Sequence, residues 1–178
     1  MVEQQIRTWE VLDQDVLDLL YVIRREDFVP AAYRELAFSD LEIPLSDKAA
    51  EGERMWQPRM EARVLQELAV RKTDVVLEVG TGSGYLTALL AHRGHQVVSG
   101  GINPALKELG ASNLKAQGID NAIVEQGDAA QGWAKPAPYD VIVLTGSTPV
   151  LPQAFLAQLK TGGRLFAIVG DPPVMAAR

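Results

Sequence analysis

Residues 75–91 read VVLEVGTGSGYLTALLA, and this stretch decides the fold class. A short apolar run ends at Val79, the turn GTGSG occupies Gly80–Gly84, and a helical pattern begins at about Tyr85. Glycines at such a turn permit close backbone approach to a ligand, and the N-terminus of the next helix offers free amide donors. The stretch therefore predicts a strand–loop–helix unit that binds a nucleotide-like ligand; the alternative is a turn that is only structurally tight.

The chain after Asp74 continues this alternation. Four further apolar runs are separated by helical segments, namely HQVVSG (95–100), NAIVEQ (121–126), YDVIVLTG (139–146) and GRLFAIVG (163–170). Parallel strands are buried on both faces and therefore read as continuous apolar runs. We predict an α/β fold with a doubly wound, Rossmann-like, mostly parallel sheet and helices on both faces. Only GDPPVMAAR (170–178) remains after these strands, so a strand at the rim of the sheet is expected to be exposed.

The segment 1–73 is predicted to be helical, with a loop on the substrate side, and to belong to the same domain as the core formed by residues 74–178. Asp13 is placed to cap a helix, and Pro30 and Pro58 suit the first turns of two more. The polar stretch SDKAAEGER (46–54) predicts a mobile loop.

Composition excludes several classes of function. The 178 residues carry 17 Lys and Arg against 23 Asp and Glu, a net charge of −6, so we expect no nucleic-acid partner. There are no cysteines, which rules out a disulfide framework and a thiolate metal site. No apolar run approaches the roughly 20 residues of a membrane span, so we expect no membrane insertion and a cytoplasmic protein.

Two carboxylates narrow the ligand class. Glu78 lies two residues before the first glycine, where it can hold a cationic amino group but would repel a pyrophosphate. This favours S-adenosylmethionine over NAD, although a Glu that only orders the loop is the alternative. Asp128 follows the third strand at the ligand edge and is placed to accept a hydrogen bond from an adenine amino group. A turn-forming Asp after Gly127 is the alternative there.

Other candidates carry less weight. His92 and His95 flank Gly94 without a carboxylate or cysteine nearby in sequence, so we predict no metal site. Thr145 follows the fourth strand at the ligand edge and is a candidate lining residue.

Four motifs occur in a specific order, VLEVGTGSGY (76–85), QGDAAQGW (126–133), APYDVIVLTG (137–146) and LKTGGRLFAIVG (159–170). With them the chain resembles class I S-adenosylmethionine-dependent methyltransferases, and more narrowly the protein-L-isoaspartate O-methyltransferase family. The N-terminal stretches VEQQIR, DFVP, LAFSDLEIPL and QPRMEARVLQEL resemble that family too, so the likeness spans nearly the whole chain.

This resemblance implies S-adenosyl-L-methionine as cofactor and methyl transfer to the free α-carboxylate of isoaspartyl residues in damaged proteins or peptides. The cofactor-binding residues that it implies are Glu78, Gly80, Thr81, Gly82, Ser83, Gly84, Gly101, Ile102, Asn103, Asp128, Ala129 and Thr145. Because a carboxylate is already ionised at neutral pH, the family's reaction needs alignment more than acid or base catalysis.

The chain departs from the family in three places. Trp56 stands where the family has a serine at the reaction centre, and Gly101 stands where it has a ribose-binding acid. The chain also ends early, so we expect it to lack the family's final strands. Arg54 or Arg59 is a candidate ligand for a substrate carboxylate, against the alternative of solvated loop charges. Two other hypotheses about function remain, namely a methyltransferase for a different carboxylate and a binding module that has lost activity.

Overall fold

The computed structural model describes residues 1–50, 52–129, 132–133, 136–171 and 174–178. The strands are β1 (Ile43–Pro44), β2 (Arg54–Met55), β3 (Val75–Val79), β4 (Gln96–Gly101), β5 (Ala122–Gln126), β6 (Tyr139–Thr148), β7 (Leu159–Asp171) and β8 (Val174–Ala177). The α-helices are α1 (Gln14–Val22), α2 (Pro58–Leu68), α3 (Tyr85–Arg93), α4 (Pro104–Ala116) and α5 (Gln153–Ala157). Short helical turns cover Val2–Ile6, Arg7–Trp9, Arg25–Asp27 and Ala31–Leu36.

The central sheet has the strand order β5-β4-β3-β6-β7-β8. Strands β3 to β7 pair in parallel, and β8 pairs antiparallel to β7. From β3 the chain moves outward to β4 and β5, and it then returns to place β6 on the other side of β3. This reversal creates a topological switch point between β3 and β6, which is where ligands of open α/β sheets bind. The predicted doubly wound sheet is confirmed.

The C-terminal stretch that remained after the five predicted strands contributes β8. Its register pairs Ile168 with Ala177 and Asp171 with Val174. The four residues of β8 are all exposed, and Val174 is 81% exposed. A strand that is solvated on both faces has no alternation of apolar and polar residues, so periodicity could not reveal it. The expectation of an exposed strand at the rim is met by β8.

The N-terminal elements follow local signals. The side chain of Asp13 accepts hydrogen bonds from the amides of Asp15 and Val16 and caps α1. Pro58 occupies the first turn of α2, as predicted. The polar stretch between β1 and β2 is closed at its base, because Ile43 pairs with Met55 in a two-stranded antiparallel ladder.

The sheet buries a different core on each face. Val76, Val97 and Val141 point toward helices α1 to α4 and form one core with them. Leu77 and Ile142 point to the opposite face, where Phe155 of α5 packs. Alternate residues of one strand thus serve opposite cores, as a parallel sheet covered on both faces requires. In the described parts of the chain, no helix is long and apolar enough to cross a bilayer.

A buried arginine ties the N-terminal segment to this core. Arg25 is 1% exposed, and its guanidinium forms an ion pair with Glu61 of α2. It also donates to the carbonyl of Ala37 at 2.9 Å and to the carbonyl of Trp56 at 2.6 Å, and it lies 5.2 Å from the ring centre of Tyr85 on α3. One side chain therefore joins four separate parts of the chain.

We expect Glu61→Leu to destabilise the protein by about 3 to 5 kcal/mol, because it leaves the guanidinium of Arg25 buried and unpaired. The double variant Arg25→Met/Glu61→Leu removes both charges and should lose less stability than the single one. Urea unfolding followed by circular dichroism measures the free energy of unfolding of each.

Glu67→Leu is the matched control on the same helix. Its carboxylate pairs with Arg63 at 2.7 Å, but its side chain is 56% exposed, so we expect a change within about 0.5 kcal/mol. A double variant that is no more stable than Glu61→Leu would contradict this account of the pair.

Candidate active site

A cavity of about 470 Å³ lies at the carboxyl ends of β3, β4 and β6, at the switch point of the sheet. Such a volume falls in the usual range for small-molecule sites. Its wall brings together most of the residues that the sequence singled out, namely Trp56, Glu78, Gly80, Thr81, Gly82, Ser83, Gly101, Ile102, Asn103, Asp128, Ala129 and Thr145.

The loop after β3 needs glycine, both for its backbone conformation and because neighbouring atoms lie very close to it. Gly80 has φ +107°, and a β carbon there would lie 2.0 Å from the Oγ1 atom of Thr145. That hydroxyl lies 2.9 Å from the carbonyl oxygens of both Val79 and Gly80, which share its single proton. The Gly80 amide donates to the carbonyl of Gly100 at 2.7 Å. Thr145 therefore holds the loop from the neighbouring strand as well as lining the cavity.

Glu78 lies fully buried beneath this loop. Its Oε2 atom accepts hydrogen bonds from the hydroxyls of Thr87 and of Ser99, the latter at 2.6 Å. Its Oε1 atom is buried without a hydrogen-bond partner among the described residues. Burial raises the pKa of Glu78 to about 7, although the hydrogen bonds from Ser99 and Thr87 oppose the shift. A buried polar atom without a partner is costly, so this oxygen of a residue in the cavity wall is a candidate acceptor for a ligand.

Tyr85 supplies a second buried polar atom without a partner in the described parts of the chain. Its ring packs edge-on against Phe28 with centroids 5.4 Å apart, and its hydroxyl has no hydrogen-bond partner there. Burial raises the pKa of Tyr85, so its hydroxyl stays neutral and keeps its proton for donation. Glu78 and Tyr85 both belong to the cavity wall, and each carries a buried polar atom without a partner among the described residues.

Two predicted site residues stand elsewhere. Gly84 does not line the cavity as the described residues define it; a β carbon there would lie 3.0 Å from the carbonyl oxygen of Gly110, so Gly84 permits α3 and α4 to approach. Arg59 also lies outside that lining. Its guanidinium stacks 4.2 Å from the ring centre of Trp9 and pairs with Asp40 at 3.1 Å. Two other groups therefore engage Arg59, and its contact with a substrate stays a prediction.

The chain from Glu53 to Trp56, which was predicted to lie on the substrate side, forms part of the cavity wall. Arg54 is exposed and lines the cavity, so of the two arginines considered it is the one in position. Trp56 is half-buried, and its ring packs edge-on against Phe166 of β7 with centroids 5.9 Å apart. Because Arg25 also holds its carbonyl, the indole has a defined place in the wall.

Sequence reasoning missed three polar residues of this wall, Glu53, Glu61 and Lys107. Each belongs to a segment whose sequence reads as an ordinary solvated helix face or loop. Only the sheet order shows that these segments meet at one edge. Among the described residues, no three His, Cys, Asp or Glu side chains cluster in a way that would hold a metal ion.

Comparison with known proteins identifies relatives of this chain. The chain is 41% identical over 170 residues to protein-L-isoaspartate O-methyltransferase from Methanoculleus marisnigri, covering 96% of this chain and 76% of that protein. It is 39% identical over 171 residues to the enzyme of the same name from Methanospirillum hungatei, covering 96% of this chain and 77% of that protein.

Solved structures agree. A structure described as protein-L-isoaspartate O-methyltransferase superposes with a TM-score of 0.75 at 26% identity, and the match covers 95% of this chain but only 55% of that one. A putative protein-L-isoaspartate O-methyltransferase from Plasmodium falciparum, in complex with S-adenosyl-L-homocysteine, has a TM-score of 0.83 at 19% identity over 99% of this chain and 86% of that one. The profile of the protein-L-isoaspartate(D-aspartate) O-methyltransferase family matches residues 1–175, and the chain therefore belongs to that family.

Proposed function

We propose that this chain transfers a methyl group from S-adenosylmethionine to the free α-carboxylate of L-isoaspartyl residues in proteins or peptides. Membership of the family makes it an S-adenosylmethionine-dependent carboxyl methyltransferase. The observation that carries the proposal is the cavity itself, which sets the glycine loop, a buried carboxylate and the Arg54–Trp56 segment around one space. The absence of cysteine fits a reducing compartment such as the cytoplasm, which stays a prediction.

The residues present fit this cofactor. The loop from Gly80 to Ser83 brings its backbone to the cavity, and the free oxygen of Glu78 is an acceptor for a charged amino group. Asp128 lines the cavity after β5, where an acceptor for the adenine amino group was expected. Ile102 is 69% exposed although apolar, and its place in the cavity wall gives an adenine ring an apolar surface. When bound, S-adenosylmethionine supplies a methyl group on a positively charged sulfur.

The chain's own task is to align a carboxylate and exclude water from it. A substrate carboxylate is ionised at neutral pH, so no side chain has to remove a proton from it. Correct alignment alone contributes several kcal/mol to a barrier, roughly 7 to 11 kcal/mol in the best cases. Trp56 provides a rigid apolar wall that displaces water, and Arg54 provides a cation that draws the carboxylate in.

A second candidate function rests on Trp56. The resemblance to the family implies a serine at this position, so by that comparison the cavity wall has an indole in place of a hydroxyl. An indole carries a single N–H donor and far more apolar surface. A different carboxylate, with an apolar group beside it, is the substrate that this change favours.

We expect incubation with labelled S-adenosylmethionine to label an isoaspartyl peptide and to leave the same peptide with a normal aspartyl bond unlabelled. Gly82→Asp is the control, because Gly82 lines the cavity at φ +53° and a side chain there adds bulk against Leu45 and a charge at the loop. Transfer no greater than that of the control would reject the proposal. Labelling of a cell extract without labelling of the peptide would favour the second candidate.

Arg54→Gln should raise the KM for the isoaspartyl peptide by about tenfold or more, because a charge-assisted hydrogen bond to the substrate is lost. The Kd for S-adenosylhomocysteine should stay unchanged. Arg71→Gln is the matched control, since Arg71 is exposed and precedes β3 at the opposite edge of the sheet. An unchanged KM in Arg54→Gln would show that this arginine is only a solvated charge.

The raised pKa of Glu78 gives a pH dependence that can be measured by calorimetry. Only the ionised carboxylate attracts a cationic amino group, so affinity for S-adenosylhomocysteine should rise on the order of tenfold from pH 5.5 to 7.5, as Glu78 ionises around pH 7. An α-amino group stays largely charged over most of this range. Glu78→Gln should bind more weakly at pH 7.5 and show no such rise.

The stability of the ligand-free protein should fall as the pH rises, whereas ligand affinity should increase. A pKa raised from its ordinary 4.5 to about 7 stabilises the fold below pH 4.5, and this contribution is lost as the pH rises through 7. The free energy of unfolding falls by on the order of 3 kcal/mol over this range. The variant Glu78→Gln should not show this fall. Unfolding curves at pH 5 and pH 7.5 test this, and equal pH dependence in the two proteins would contradict it.

A further inference from the structure

Strand β4 ends at the cavity without the acidic side chain that this fold normally uses there. In nucleotide-binding sheets of this kind, a carboxylate about 20 residues after the first glycine binds the ribose hydroxyls. Here Gly101 occupies that place. A β carbon on Gly101 would meet only the backbone nitrogen of Thr81, at 3.9 Å, so the space beside it is open. The cavity wall therefore has a gap where a ribose acceptor is expected.

A carboxylate from another part of the chain reaches this region. Glu53 precedes β2, and it lines the same cavity as Gly101 and Asn103. Its Oε1 atom accepts a hydrogen bond of 2.7 Å from the side-chain amide of Asn103, which stands two residues after Gly101. The oxygen of that same amide caps α4 by accepting from Ala105 at 2.9 Å. Glu53 is thus held against the end of β4 by a side chain that is itself fixed.

The loop also holds Glu53 in place from its own side. The Oε2 atom accepts from the amide of Ala50 at 3.0 Å, and the carbonyl of Glu53 accepts from the amide of Leu45 at 3.1 Å. The hydrogen bonds from Asn103 and from the Ala50 amide lower the pKa of Glu53, so its carboxylate is ionised at neutral pH. Each carboxylate oxygen accepts about two hydrogen bonds, which leaves capacity on Glu53 for two hydroxyl donors.

We propose that Glu53 binds the ribose hydroxyls of S-adenosylmethionine and so supplies, from the substrate-side loop, the carboxylate that β4 lacks. This inference rests on the proposed use of that cofactor. Ribose binding by Glu53 would also affect its neighbours, because Glu53 directly precedes Arg54 and is three residues from Trp56 in the chain. A bound cofactor would then hold the segment that forms the substrate side of the cavity.

Calorimetry with S-adenosylhomocysteine and with its 2′,3′-dideoxy analogue tests the proposal on the full chain. Glu53→Gln should lower affinity for S-adenosylhomocysteine by about 10- to 150-fold, the usual effect of losing one hydrogen bond to a charged group. It should leave affinity for the analogue within about threefold, because no hydroxyl remains to be bound. Introducing Gly101→Glu into the Glu53→Gln variant should restore most of the lost affinity, since the gap at Gly101 is open.

Glu42→Gln is the matched control. Glu42 is exposed just before β1 and is absent from the cavity wall as the described residues define it, so its loss should change neither affinity. Equal binding of S-adenosylhomocysteine by Glu53→Gln and the unsubstituted protein would overturn the inference alone. Equal losses for both ligands would also overturn it, because they would show a structural effect on the loop. Failure of the folded, unsubstituted protein to bind S-adenosylhomocysteine would overturn the proposed function as well.

Discussion

The guanidinium of Arg25 is the constraint on which the rest of the structure depends. It is buried, and its donors engage the carboxylate of Glu61 and the carbonyls of Ala37 and Trp56. A buried charge tolerates no missing partner, so the first helices, α2 and the segment before it are placed together or not at all. The segment before α2 is thereby held at the wall of the cavity, while the elements that precede it in the chain pack on the core.

The sheet order then decides which residues meet. Because β6 lies beside β3 while β4 and β5 lie on its other side, loops from four distant parts of the chain end at one edge. The cavity is surrounded by glycines of the loop after β3, by Asp128 after β5 and by Thr145 of β6. The segment that contains β2 forms another part of its wall. The chemistry of the family suits such a site, since aligning an ionised carboxylate needs positioned walls more than an acid or base.

Predictions from the sequence succeeded where a local pattern has a local cause. The glycine turn between Val79 and Tyr85, the cap at Asp13 and the helix start at Pro58 all follow from backbone geometry within a few residues. They are less informative where the partner lies far along the chain. Arg59 was one of two candidate ligands for a substrate carboxylate, and in the structure it contacts Trp9 and Asp40. The sequence pattern did not predict strand β8, because the residues of this strand are exposed on both faces.

The sequence by itself determined the fold class, the cofactor loop and the family, because each depends on short motifs in a set order whose physical meaning is local. It also revealed that Gly101 offers no carboxylate. Only the tertiary structure decided that Arg54 lines the cavity, that one oxygen of Glu78 has no partner in the described parts of the chain, and that Glu53 lies against Asn103. The reason is physical, since Glu53 and Asn103 are fifty residues apart in the chain and meet only because β3 and β4 are adjacent and β2 is anchored above them.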